Sequence, residues 1–99
     1  MSGAGGEAER FEALLSRPDV LIERIVSNGH TTPPDQPYLQ SHDEWVMIVS
    51  GAARVLVEGQ PERSLAPGEY MLVPGGAKHW VTWTAEHQPT VWLAVHLLG

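Results

Sequence analysis

The chain contains no cysteine. That removes thiolate nucleophiles, disulfides, iron–sulfur clusters and cysteine-ligated zinc from consideration. Any metal would have to be held by His, carboxylate, amide or Tyr, and by water. Basic residues are scarce: six Lys and Arg stand against twelve Asp and Glu, for a formal net charge of -6. Arg10, Arg17, Arg24, Arg54, Arg63 and Lys78 are scattered and form no run. Nucleic acid and anionic membranes, which need basic patches, are therefore not expected partners. No apolar run reaches the length of a transmembrane helix, and no signal peptide precedes the domain. A cytoplasmic location is the expectation.

What is present suits a small soluble protein. Hydrophobic residues make up 42% and charged residues 18% of 99 positions, a globular profile. One domain over residues 7–99 is expected, after a small, glycine-rich, disordered tail over residues 1–6. A chain this short buries a modest fraction of its surface, and association would help it. From Glu7 to Ser16, Ala8, Phe11, Leu14 and Leu15 fall on one helical face and Pro18 ends the pattern. This spacing predicts a short N-terminal helix.

Beyond Val20 the signals are those of strands. Leu21 to Val26 is mixed and β-branched, and residues 28–37 hold three prolines and a glycine, which marks a loop. Glu44 to Val49 and Ala53 to Val57 flank Ser50-Gly51-Ala52 as a hairpin. Further strands are read at Arg63 to Ala66, Tyr70 to Val73, His79 to Thr84 and Thr90 to Leu98. Strands recurring at roughly 8–12 residues with turns between them indicate an all-β sandwich or barrel. Trp45-Val46-Met47-Ile48-Val49 does not alternate polar with apolar, so both faces of that strand need cover. One face can line the interior; the helix or a second subunit must cover the other. With Trp80, Trp83 and Trp92 adding aromatic surface, a homodimer is expected.

The candidate site follows from parity. Tyr38, Gln40, His42 and Glu44 are all even-numbered, so an extended segment puts them on one face, which continues into core-like Val46 and Ile48. Glu44 then stands where the interior begins, and a carboxylate there must be paired, hydrogen-bonded or bound to a cation. Gly68 to His79 reads as a turn, a short strand, a Pro-Gly-Gly turn and then a histidine opening another strand. Imidazole is the commonest protein ligand for transition metals. There is no strand-to-helix phosphate loop and no Gly-x-Ser-x-Gly elbow.

Gly68, Pro74, Gly76 and His79, together with Glu44 and Gly51, resemble the two sequence motifs of the cupin superfamily. The likeness runs from about Gly29 to Leu98 and is to small single-domain cupins. It implies an antiparallel jelly-roll β-barrel. It also implies a divalent metal (Zn, Fe, Ni or Mn) at the barrel mouth, held by His79 and Glu44. The family's two other histidines have no counterpart here: Tyr38 and Gln40 occupy their places, and Trp83 replaces a frequent asparagine. His42 or Gln40 would have to complete a metal site, with Tyr38 and His96 in the pocket wall.

Each residue keeps a plainer reading. His79 and Glu44 can simply hydrogen-bond each other, and His42 can be a solvated loop residue. Gln40 and Tyr38 suit pocket lining better than metal ligation. His96, in the apolar run Val91 to Leu98, suits a satisfied core histidine. His30 reads as a surface loop residue and His87 as part of a polar turn. Three functions follow: a metal-binding cupin, a metal-free small-molecule binding or sensing module, or a structural dimer with a decayed site.

Overall fold

The computed structural model describes residues 9–99. The tail expected over residues 1–6 lies outside them. Eight strands follow one another: β1 (Arg10–Arg17), β2 (Val20–Ser27), β3 (Asp43–Ser50), β4 (Ala53–Val57), β5 (Arg63–Leu65), β6 (Tyr70–Val73), β7 (His79–Thr84) and β8 (Thr90–Leu97). β4, β6 and β7 keep the bounds read from the sequence, because Gly and Pro turns bracket each of them. Among the described residues no helix is long and apolar enough to cross a membrane.

The N-terminal helix is a correction. Its described part is β1, an edge strand that pairs antiparallel with β2. The register slips between Ala13 and Leu15, so Leu14 is an extra residue in a β-bulge. The bulge puts Phe11 and Leu15 on opposite faces of the sheet. Apolar residues at 11, 14 and 15 therefore mimic helical spacing while the backbone stays extended.

The strands form two antiparallel sheets, ordered β1-β2-β8-β3-β6 and β5-β4-β7, facing each other as a jelly-roll barrel. Alternation fills the space between them. Val46 and Ile48 of β3, Val55 and Val57 of β4, Met71 and Val73 of β6, and Trp92 and Ala94 of β8 build the core. On the apolar strand β3, the inward residues are buried, whereas Trp45 and Met47 on the outer face are only half covered. No helix covers that face among the described residues.

The glycine-rich turn after β6 has a definite task. A Cβ at Gly75 would sit 2.4 Å from the Ser41 carbonyl oxygen, so only glycine permits this backbone-to-backbone approach. Gly75 N–H donates to Asp43 Oδ1 at 2.8 Å, and Gly76 N–H donates to the Gln40 carbonyl at 2.7 Å. The turn thus clamps the segment that leads into β3. Tyr38 is fixed separately, by reciprocal backbone hydrogen bonds with His79 of 2.9 and 3.0 Å.

Candidate functional site

Register explains which polar side chains meet. Glu44 on β3 lies directly opposite His96 on β8, and Glu23 on β2 lies opposite Ala94, two residues from His96 on the same face. Direct and diagonal cross-strand neighbours on one face are within reach of long side chains. His96 Nε2 accordingly lies 2.9 Å from Glu23 Oε1 and 3.8 Å from Glu44 Oε2. His96 Nδ1 lies 2.9 Å from His42 Nε2. A carboxylate can only accept, so a neutral His96 donates from Nε2 and accepts at Nδ1 from His42. On the other side, Gln40 Nε2 donates to Glu44 Oε1 at 2.8 Å. Tyr38 stacks on the His79 ring, with centroids 5.3 Å apart.

These groups, His42 excepted, border a cavity of about 290 Å³ at the open end of the barrel. Its floor is apolar (Val46, Val55, Val73, Val81, Ile25 and Trp92), and Tyr38, Gln40, Glu44, His79 and His96 are its polar groups from the expected site. Glu9, Phe11 and Glu23 complete the lining. Sequence reasoning missed those three: Phe11 comes from β1, the strand taken for a helix, Glu9 immediately precedes it, and Glu23 comes from β2. The signal available for Glu23 was its parity: it shares the inward face with Leu21 and Ile25, a carboxylate on an apolar stripe. Glu9 is tethered through Ser27, whose hydroxyl donates to it and accepts from Trp92 Nε1 at 3.2 Å.

The surroundings shift two groups. Burial pushes the His79 imidazole below its ordinary value, while the Glu44 carboxylate and the Ala77 backbone pull it back. His79 is 6% exposed, and its Nδ1 has no hydrogen-bond partner among the described residues. The Tyr38 phenol is raised, first by burial and then by Glu9, with Glu44 adding to it and a hydrogen bond with Thr32 opposing. His30, expected on a surface loop, is buried at 3% exposure, accepting from Asn28 N–H at Nδ1 and from Thr84 Oγ1 at its carbonyl. It belongs to the neighbouring groove rather than to this pocket.

A family model described as "Cupin domain" matches residues 24–96. The chain belongs to the cupin family. Among solved structures, this cupin is similar to a candidate mannose-6-phosphate isomerase from Ralstonia eutropha JMP134, at 46% identity and TM-score 0.90, covering 96% of this chain and 89% of that one. A cupin superfamily protein from Desulfitobacterium hafniense DCB-2 is 18% identical with TM-score 0.75, over 93% of this chain and 79% of its own. KdgF from Halomonas sp. is 22% identical with TM-score 0.73, over 90% and 80%. The last two share the fold. No curated protein matches the sequence.

The donor set does not fit the metal site that the family resemblance implies. Among the described residues of this cupin, no group of three or more His, Asp or Glu is placed to hold a metal ion. Glu44 and His79 do share the pocket. Gln40, however, gives its amide N–H to Glu44, and His42 is bonded to His96 on the far side of that carboxylate. Gln40, Glu44, His96, His42 and Glu23 satisfy one another instead of converging on a point, and His79 stands outside that network.

Proposed function

We propose that this cupin binds a small organic molecule in the mouth pocket without a resident metal. The observation that supports this reading is the self-satisfied network: Gln40 holds Glu44, and His42, His96 and Glu23 form a chain beside it. That network leaves an apolar cavity of about 290 Å³ rimmed by fixed polar groups, near the lower size limit of ligand sites. The ligand would meet Tyr38, Gln40, Glu44, His79 and His96 on its polar side and valines on the other. Mannose-6-phosphate isomerase activity belongs to the name of the Ralstonia relative. We do not carry it over, because no Lys or Arg lines this pocket to receive a phosphate. The second reading, a divalent ion on His79 and Glu44 with His42 or Gln40, keeps two ligands of the family pattern and would require the network to break. As a partner, a second copy of the chain on the outer face of the larger sheet is part of the same proposal.

Tag-free protein analysed for bound elements, before and after exposure to zinc, iron, nickel and manganese, decides between the two. The expected outcome is no stoichiometric metal, with fragment binding seen as amide shifts around Tyr38, Glu44 and His79 that survive a chelator. Stoichiometric metal that disappears in both Glu44→Ala and His79→Ala would sink the metal-free reading.

A further inference from the structure

Among the described residues, the carboxylates of Glu9, Glu23 and Glu44 line the mouth pocket, and no Lys or Arg lines it. The neighbouring arginines lie elsewhere: Arg10, between Glu9 and Phe11, lines a separate groove, Arg24 pairs with Glu12 on the outer face of the sheet, and Arg54 lies over the Trp83 ring. His79 does not offset the negative charge, since burial favours its neutral form. His96 is the one remaining imidazole in the lining, and it is shared between Glu23 and Glu44. At neutral pH the pocket is therefore net negative whichever form His96 takes. Burial first, and then Glu9 and Glu44, disfavour the phenolate of Tyr38.

Each carboxylate has one hydrogen bond, Glu9 from Ser27, Glu23 with His96 and Glu44 from Gln40. None is paired with a Lys or Arg, so a cation entering the pocket gains their charge attraction beside an apolar wall. The walls also carry aromatic faces. Phe11 and Tyr38 are 56% and 44% exposed, and Trp92 closes the inner side. Aromatic faces with carboxylates behind them attract organic cations through the ring quadrupole as well as through charge. The buried His79 lines the same cavity, and its Nδ1, itself shielded, has no hydrogen-bond partner among the described residues.

We propose that the ligand is a small organic cation, an ammonium compound with an apolar body, held between Phe11 and Tyr38 with its charge toward Glu9, Glu23 and Glu44. This inference rests on the reading of the mouth as a small-molecule pocket, and it excludes phosphate esters from that pocket. A dianion placed among three carboxylates is repelled at every approach.

The experiment titrates the full chain, followed by amide shifts and calorimetry, with four probes: choline, its uncharged carbon isostere dimethylbutanol, mannose, and mannose-6-phosphate. Choline is expected to bind roughly tenfold or more tighter than dimethylbutanol, the scale of a desolvated cation–aromatic contact with added charge attraction. Mannose-6-phosphate is expected not to bind. Glu9→Gln combined with Glu23→Gln should bring the choline-to-dimethylbutanol affinity ratio down toward one. Equal affinity for choline and dimethylbutanol in the unaltered protein overturns the proposal without any variant having to fold. So does tighter binding of mannose-6-phosphate, or a preference unchanged in the double variant. If dimethylbutanol or mannose binds and choline does not, the cation inference falls and the pocket reading stands. If no probe shifts any amide, both fall.

Discussion

His79 is the residue in which burial and function pull against each other. Its ring is enclosed, which favours neutral imidazole, while Glu44 favours the charged form more weakly. The folded chain therefore takes up this proton less readily than the unfolded chain. Above the ordinary histidine value of 6.5 both states are neutral here, and the contribution of His79 to stability is fully present. As the pH falls through that value, the unfolded chain gains a proton that the folded chain refuses, and stability drops until the lower folded value is reached. Urea midpoints measured from about pH 8 down to pH 5 should show this loss in the unaltered protein and less of it in His79→Gln. Glu44→Gln removes the opposing attraction and should steepen the loss. Identical pH profiles for the unaltered protein and His79→Gln would show that burial does not control this ring. Sequence parity placed Tyr38, Gln40 and Glu44 together, and register explains why that worked: the three lead into one inward face of β3. Parity could not show that the imidazoles of His42 and His96 would join, because that depends on β3 pairing with β8 across half the chain.

At the scale of elements, the turns carried most of the legible information, and they differ in why they need glycine. Gly51, between β3 and β4, has φ of 85° and would place a Cβ 2.6 Å from the Thr90 Cα. Gly76, between β6 and β7, has φ of 81° with nothing within 4 Å. Gly76→Ala should thus cost only the left-handed backbone penalty, about 1–2 kcal/mol. Gly51→Ala adds a steric overlap with backbone that cannot move aside, and should cost roughly 3 kcal/mol or more. Chemical denaturation of the two variants checks the ranking, and equal losses would mean that the β3–β4 turn relaxes freely. The same contrast explains what was readable. β4 and β6 are bracketed by turn residues and carry clean alternation, so their bounds follow from sequence, whereas β7, whose register slips between its pairings with Arg54 and Val55, keeps its bounds through its flanking turns. β1 is exposed along its whole length and contains a bulge. With no buried face to enforce a period of two, its apolar residues fell at helical intervals. The cost of that misreading reached the site, because β1 brings Phe11 to the pocket and Glu9 immediately precedes it.

The whole molecule leaves one surface incomplete. Register carries a single row across the outer face of the larger sheet: Leu15 on β1, Ile22 on β2, Val95 on β8, Trp45 on β3 and Leu72 on β6. All five are apolar, and the next row adds Leu93, Met47 and Tyr70. Leu72, Tyr70, Leu97 and Val49 are exposed. A monomer rarely leaves so continuous an apolar stripe in water. A standard interface takes about 800 Å² from each partner, a small part of the 5852 Å² that the chain exposes. On the non-alternating strand β3, Val46 and Ile48 serve the core, and Trp45 and Met47 lie half covered on the outer face, where the proposed second copy would cover them. Sedimentation of the unaltered chain at micromolar concentration should give a dimer. Val95→Arg puts a charge at the centre of the row, on a face that points away from both core and pocket. It should give a folded monomer whose mouth pocket still binds its ligand. A monomeric unaltered chain, or a dimer indifferent to Val95→Arg, would place the association surface elsewhere and leave the stripe without its partner.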